Sequence, residues 1–344
     1  GTVMTALLSL IGEGRWQLAL AVFVAANIGW TCANLFYDSL LTCVAPRNKL
    51  DFVSSLGFSI GYLGCGLLFL LNIAMVQFPS FFGLSGRTQA VKASFLTVAA
   101  WWLVFAIPLL FFVREYGEKT ARGPMEVVFD GFRRLRQTFG EIRRYRHIWL
   151  FLLAYWLYID GVDTVIRMAA DLGMAIGLDS GSLMISLLIV QFVAFPAALL
   201  FGFAAERIGV MPSLMIGIGI YIVVTVVGPL WVHTEMQFRI MAALNAVPLG
   251  CLQALSRSYY ARLIPEDRSA EFFGFYNLMG KFAAIFGPAM VGSVAFLFER
   301  KGASTELAAR FGFFSITVLF IAGGALLFVA GKAAARGGIS GGSG

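Results

Sequence analysis

The 344-residue chain is 59% hydrophobic and 13% charged, with a formal net charge of +7 and a mean hydropathy of +0.82. A soluble domain carries about twice that charged fraction, and the apolar residues here fall in runs of about 20 or more, the length that crosses a bilayer core; a soluble globular domain is excluded and a polytopic all-α membrane protein is expected. The positive charge is not spread as a nucleic-acid surface would need, because nine of the 26 Lys and Arg lie between Arg114 and Arg146 in one connecting segment, the pattern of a cytoplasmic loop under the positive-inside rule.

Ten membrane helices are predicted. The first is short, Val3–Ile11, followed by Trp16–Leu41, Val53–Val76 and Ala93–Val113. After the basic segment come Ile148–Met168, Leu183–Ala205, Pro212–Trp231, Phe238–Arg262, Phe272–Phe298 and Phe311–Val329. Residues 1–113 thus read as a four-helix bundle, 114–147 as a linker, 148–330 as a six-helix bundle and 331–344 as a Gly/Ser-rich flexible tail. In the linker, Met125, Val128, Phe132, Leu135, Phe139 and Ile142 recur at three or four residues with arginines between them, which predicts an amphipathic helix along the membrane surface.

Counting Lys and Arg on alternate loops places sixteen on the side of the linker and seven on the other, with Arg167, Arg257 and Lys281 inside helices. That imbalance predicts a cytoplasmic linker. The four cysteines lie in apolar segments without CxxC spacing, and the two histidines make no metal constellation. No metal or cofactor is expected.

A weak internal repeat spans six helices. LLTCVAPRNKLDFVSSLGFSIGYLG (40–64) and YYARLIPEDRSAEFFGFYNLMGKFA (259–283) align Pro46 with Pro265, Gly61 with Gly280 and Lys49 with Arg268, all at an offset of 219. Two related halves follow, as in inverted-repeat and tandem-repeat transporters. The partner of GFAAERIG (202–209) would then fall upstream of Gly1. The expectation is a twelve-helix protein in two six-helix halves, of which this sequence is N-terminally truncated and retains ten.

GFAAERIG resembles the G-x-L-A-D-R-x-G-R-K loop signature of the major facilitator superfamily at Gly202, Ala205, Glu206, Arg207 and Gly209, and departs from it at Val210 and Met211. NLFYDSLL (34–41), GFSIGYLGCGLLFLLN (57–72), YWLYIDGVDTVI (155–166) and SRSYYARLIPEDRSAEFFGFYNLMGKFAAIFGP (256–288) are similar to the vacuole-effluxer-like family within it. Yeast members of that family are described as vacuolar amino-acid effluxers linked to autophagy, and bacterial members as permeases. The resemblance implies the major facilitator fold and, as a family expectation, an amino-acid substrate. By the same analogy Asp38 and Arg257, equivalent positions one repeat apart, line the cytoplasmic mouth of a central cavity, and an ion pair between them is expected when that side closes.

The charges within the membrane carry the functional reading. An ionisable side chain near the bilayer centre costs roughly 2.5–3.5 kcal/mol on insertion scales, so it normally faces a cavity or a partner. Asp160, Asp163 and Arg167 stand at i, i+3 and i+7 on one helical face. Asp163 and Arg167 can neutralise each other as an i,i+4 pair. Asp160 has no local partner and is the candidate proton- or substrate-linked carboxylate, with Gly161 beside it expected to loosen the helix. Lys281 is a candidate for an anionic substrate group or an internal acid. Gln191, Asn245 and Gln253 are neutral candidates for the cavity, with interhelical hydrogen bonding as their ordinary role. Gly280, Ala284 and Gly287 read as a seam for close helix packing.

The expected function is secondary transport of a small polar solute by alternating access, with protons as the candidate coupling ion and the bilayer as partner. The expected location is a bacterial inner membrane. The rivals are a drug or lipid efflux permease, and a non-transporting membrane sensor for which the basic linker speaks. No HExxH motif or paired catalytic residues at a membrane face support an enzyme.

Overall fold

The computed structural model describes residues 1–12, 14–113, 131, 133, 140, 145–265 and 268–336. The described residues form helices and no strand: α1 (Thr2–Leu7), α2 (Trp16–Ser39), α3 (Leu41–Val44), α4 (Leu50–Gln77), α5 (Arg87–Phe112), α6 (Arg146–Ala175), α7 (Ser180–Ile208), α8 (Val210–Trp231), α9 (Glu235–Leu263), α10 (Ser269–Arg300), α11 (Thr305–Ser315) and α12 (Thr317–Arg336). Among them, nine spans are long and apolar enough to cross a membrane, with α2 and α3 forming one, Trp16–Val44, and α11 and α12 another, Thr305–Ala335. The short first helix of the sequence reading is present as α1, prolonged by a 3-10 turn over Leu8–Leu10. The amphipathic positions of the linker, Met125 to Ile142, lie outside the described residues. The last helix passes Val329 and ends at Arg336, because residues 332–336 contain three alanines in a row, the best helix formers, and Lys332 folds over the Phe328 ring at 4.3 Å.

Packing groups the described residues of Gly1–Leu40 and Gly64–Asp130 into one unit, and those of Leu41–Leu63 and Gly131–Gly344 into a second, so that α4 contributes to both. In the first unit α1 packs against α2 and α5. Thr97 on α5 donates to Asn72 Oδ1 on α4 at 2.7 Å, a hydrogen bond between helices where lipid offers no alternative partner.

The second unit has the larger core. α6 is the most enclosed span and packs on α10, α11 and α12. Its glycines and those of its neighbours set these approaches: a Cβ at Gly323 would lie 3.0 Å from the Tyr158 backbone nitrogen, and one at Gly161 would lie 2.8 Å from the Phe320 ring. Gly161 therefore does not loosen the helix. It seats an aromatic ring against an uninterrupted α6, and the missing side chain is what makes room.

The ends of these helices carry the expected local chemistry. Asp179 caps α7 by accepting from the Gly181 and Ser182 amides. Thr234 and Gln237 form a capping box at the start of α9, satisfying amides that no helical carbonyl can reach. Ser304 caps α11. Between α7 and α8 a single residue, Gly209, makes the turn with φ +92, a conformation costly for any residue with a Cβ.

Candidate functional site

Asp160 is the fifteenth of the thirty residues of α6 and is 1% exposed. Its Oδ1 accepts from the Gly287 backbone N–H of α10 at 3.0 Å and sits 3.5 Å from the Thr164 hydroxyl. Its Oδ2 is buried with no hydrogen-bond partner among the described residues. Gly287 makes the approach possible, since a Cβ there would run into the Thr164 hydroxyl and stand 2.9 Å from Asp160 Oδ1. Oδ1 thus has two donors, the Thr164 hydroxyl of its own helix and a backbone amide 127 residues away, and one carboxylate oxygen stays available to a proton or a ligand donor.

Burial falls off along the same face. Asp163 is half-buried and Arg167 is exposed. The cations whose fields reach Asp163 are Arg167 and, from α10, Lys281. Lys281 is thus a second cation, from a different helix, in the electrostatic surroundings of Asp163.

α6 also carries aromatic rings in the turns before Asp160. Tyr155 stacks on Tyr276 with centroids 4.1 Å apart, and the Tyr158 hydroxyl lies 2.6 Å from Ser256 Oγ. These contacts join α6 to α10 and α9.

Arg257 on α9 is 4% exposed. Its Nε donates to Ser54 Oγ at 3.0 Å, its Nη2 donates to the Ser54 carbonyl at 3.3 Å, and its guanidinium lies 4.7 Å from the centre of the Phe58 ring. Ser54 Oγ in turn donates to the Ala254 carbonyl at 2.7 Å. Two further hydroxyls of α4 continue the seam: Ser59 donates to the Phe195 carbonyl at 2.7 Å, and Tyr62 donates to Gln253 Oε1 at 2.6 Å. Gln253 therefore serves as an interhelical acceptor. Asp38 belongs to the first unit and Arg257 to the second.

The loop motif is built around the first turns of α4. Gly202 faces Ser55, whose Cβ lies 2.7 Å from where a Gly202 side chain would begin. Glu206 and Arg207 are exposed. Asp51, 3% exposed, forms an ion pair with Arg262 at the end of α9, and Glu206 is the second acid whose field reaches it. Sequence reasoning missed Asp51 and Arg262. Their signal was positional, since Asp51 follows Pro46 by five residues and Arg262 precedes Pro265 by three, flanking the two repeat-related turns.

Gln191 is half-buried on α7. Asn245 on α9 is 8% exposed, and its Oδ1 has no hydrogen-bond partner among the described residues. It lines a cavity inside the second unit whose lining does not include Asp160.

Residues 45–336 match the family model described as vacuole effluxer Atg22 like. The MFS-type transporter YxiO of Bacillus subtilis (strain 168) is 39% identical over 326 residues, covering 94% of this chain and 73% of its own length. Autophagy-related protein 22 of Coccidioides immitis (strain RS) is 24% identical over 307 residues, covering 82% of this chain and 49% of its own; the chain spans about half the length of the fungal relatives it matches. Among solved structures, a bacterial homologue of the human lysosomal transporter Spinster, inward-facing and unoccupied, aligns with a TM-score of 0.57 at 18% identity over 97% of this chain and 81% of that one. A bacterial homologue of the iron transporter ferroportin, outward-facing, aligns with a TM-score of 0.54 at 14% identity over 94% and 82%. At these identities the likeness to the solved structures is one of fold alone, and the major facilitator superfamily is shown by the 39% identity to the MFS-type transporter.

Proposed function

We propose, from the premise that this chain belongs to the vacuole effluxer Atg22-like family of the major facilitator superfamily, that it moves a small polar solute across a membrane by alternating access, with amino acids as the substrate class and protons as the coupling ion. The observation that carries this reading is the half-satisfied carboxylate of Asp160, buried at the midpoint of α6. A carboxylate retained only as a structural anchor would have both oxygens hydrogen-bonded, because a buried polar atom without a partner costs roughly 1–3 kcal/mol. Oδ1 anchors α6 to α10 through Gly287, and Oδ2 is left to take a proton or to accept from a substrate ammonium. Asp163 and Arg167 further along α6, with Lys281 on α10, supply charges of both signs, which suits a zwitterionic solute better than an apolar one. In this reading the membrane is a bacterial inner membrane and the 114–147 segment is cytoplasmic.

The test is uptake of a labelled amino-acid mixture by proteoliposomes under an imposed pH gradient. The gradient should drive accumulation in the wild type, and Asp160→Asn should lower gradient-driven uptake by about tenfold or more, equivalent to about 1.4 kcal/mol. Uptake that ignores the gradient overturns proton coupling. Uptake that follows the gradient equally in Asp160→Asn overturns the assignment of the carboxylate.

A further inference from the structure

Within the second unit, lined by residues of α6, α7, α8, α9 and α11, is a partly open cavity of about 100 Å³. Its walls are apolar: Val165 and Ala169 from α6, Leu187 from α7, Val224 from α8, and Phe238 and Met241 from α9. Two polar side chains interrupt them. Ser186, 3% exposed, donates its hydroxyl to the Ser182 carbonyl at 2.9 Å and keeps its own lone pairs for a donor. Asn245 is more than nine-tenths buried and belongs to this lining, and its buried Oδ1 has no hydrogen-bond partner among the described residues.

We propose that this cavity is a binding site for a compact apolar molecule bearing one hydroxyl, such as a phenol or a short cyclic alcohol. The size suits a single ring, since an apolar protein cavity of about 150 Å³ takes up benzene and this one is about 100 Å³. The walls set its character: Met241 adapts to irregular shapes and Phe238 offers a ring edge or face. The Asn245 amide sets the polar requirement. A hydroxyl both donates and accepts, so it can satisfy either end of an amide and can also donate to Ser186. A water molecule would meet two polar side chains and otherwise apolar walls, the lower end of the two to four polar partners that hold buried water in place, whereas a ring with one hydroxyl also fills the apolar part. The bilayer concentrates the ligand class the site selects. The site lies within one helical unit and is read by binding, so its test is independent of the transport assigned to Asp160.

Fluorine NMR on the purified protein in fluorine-free detergent, referenced to protein-free micelles, can measure the affinities of 4-fluorophenol and fluorobenzene. These probes differ by the hydroxyl. 4-Fluorophenol should bind about tenfold tighter than fluorobenzene in the wild type, as expected for one hydrogen bond to a buried amide. In Asn245→Leu the ratio should fall to about one, and in Ala169→Phe, which fills the cavity, both probes should lose their binding. Equal affinities in the wild type, or no binding of either probe up to its solubility, overturn the proposal without recourse to any variant. A phenol preference that survives Asn245→Leu, or binding that survives Ala169→Phe, places the ligand elsewhere and overturns it as well.

Discussion

A methyl group at position 287 would collide with the Thr164 hydroxyl and crowd Asp160. Gly287→Ala should therefore lower stability by about 1–3 kcal/mol, the usual cost of overpacking a well-fitted contact. Gly292, on the same helix, has nothing within 4 Å of its would-be side chain, and Gly292→Ala should hold or slightly raise the melting temperature because alanine favours the helix. Equal melting of the two variants would mean that α6 and α10 do not meet at Gly287. Asn245 offers the opposite case. Replacing the side chain with leucine removes an unsatisfied buried oxygen, Oδ1, so ligand-free Asn245→Leu should melt later than the wild type by the equivalent of about 1 kcal/mol. Asp160 was legible in the sequence as a lone charge in an apolar run. Its partner on α10 was not, because that donor is a backbone amide and carries no letter of its own. Asn245 was legible as a polar residue in a helix, but whether its amide is satisfied depends on which neighbours surround it.

At the scale of helices, α7 begins on a carboxylate. The Ser182 hydroxyl at 2.6 Å and the backbone amides of Gly181 and Ser182 donate to Asp179 and hold its carboxyl below the usual carboxylate range. An acid whose folded form releases its proton more readily than its unfolded form adds stability above its ordinary pKa, near about 3.9, and that stability disappears as the pH falls through the lowered folded value. Amide protection factors at Gly181 and Ser182 should therefore drop as the pH is taken below about 4. Ser182 also donates to Glu235 at 2.6 Å, and Glu235 pairs with Arg239, so a second acid titrates nearby. Asp179→Asn, which can still cap the helix, isolates the first. Its protection should be flatter over the same range, and an unchanged pH dependence would assign the effect to Glu235. The start of α7 and the capping box of α9 were readable as local patterns. The polar seam of Ser54, Ser59 and Tyr62 on α4 was not, because serine in an apolar helix looks the same whether it faces lipid or donates to a carbonyl of the next helix.

At the scale of the whole molecule, the distribution of Lys and Arg makes a prediction about orientation. Asn48, between α3 and α4, and His233, between α8 and α9, are both exposed and stand at opposite ends of their helices. The four native cysteines are Cys32, Cys43, Cys65 and Cys251, and single cysteines at 48 or 233 can be introduced in a background lacking them. A membrane-impermeant maleimide applied to intact cells should label His233→Cys and spare Asn48→Cys, and inside-out vesicles should reverse the result. Labelling of Asn48→Cys in intact cells would invert the assigned topology.

What the sequence determined by itself was whatever depends on a contiguous stretch of chain. Membrane spans are set by local length and hydropathy, helix ends by capping residues within a turn, and the family by runs such as SRSYYARLIPEDRSAEFFGFYNLMGKFAAIFGP. The turn at Gly209 belongs to the same class, since its backbone conformation is imposed over one residue. Tertiary structure decided which polar group meets which. Asp160 found Gly287, Arg257 found Ser54, Asp51 found Arg262, and Asn245 was left facing a cavity. In an apolar medium each of these outcomes turns on a hydrogen bond made or missed between helices distant in sequence, and only the packed arrangement of side chains specifies it.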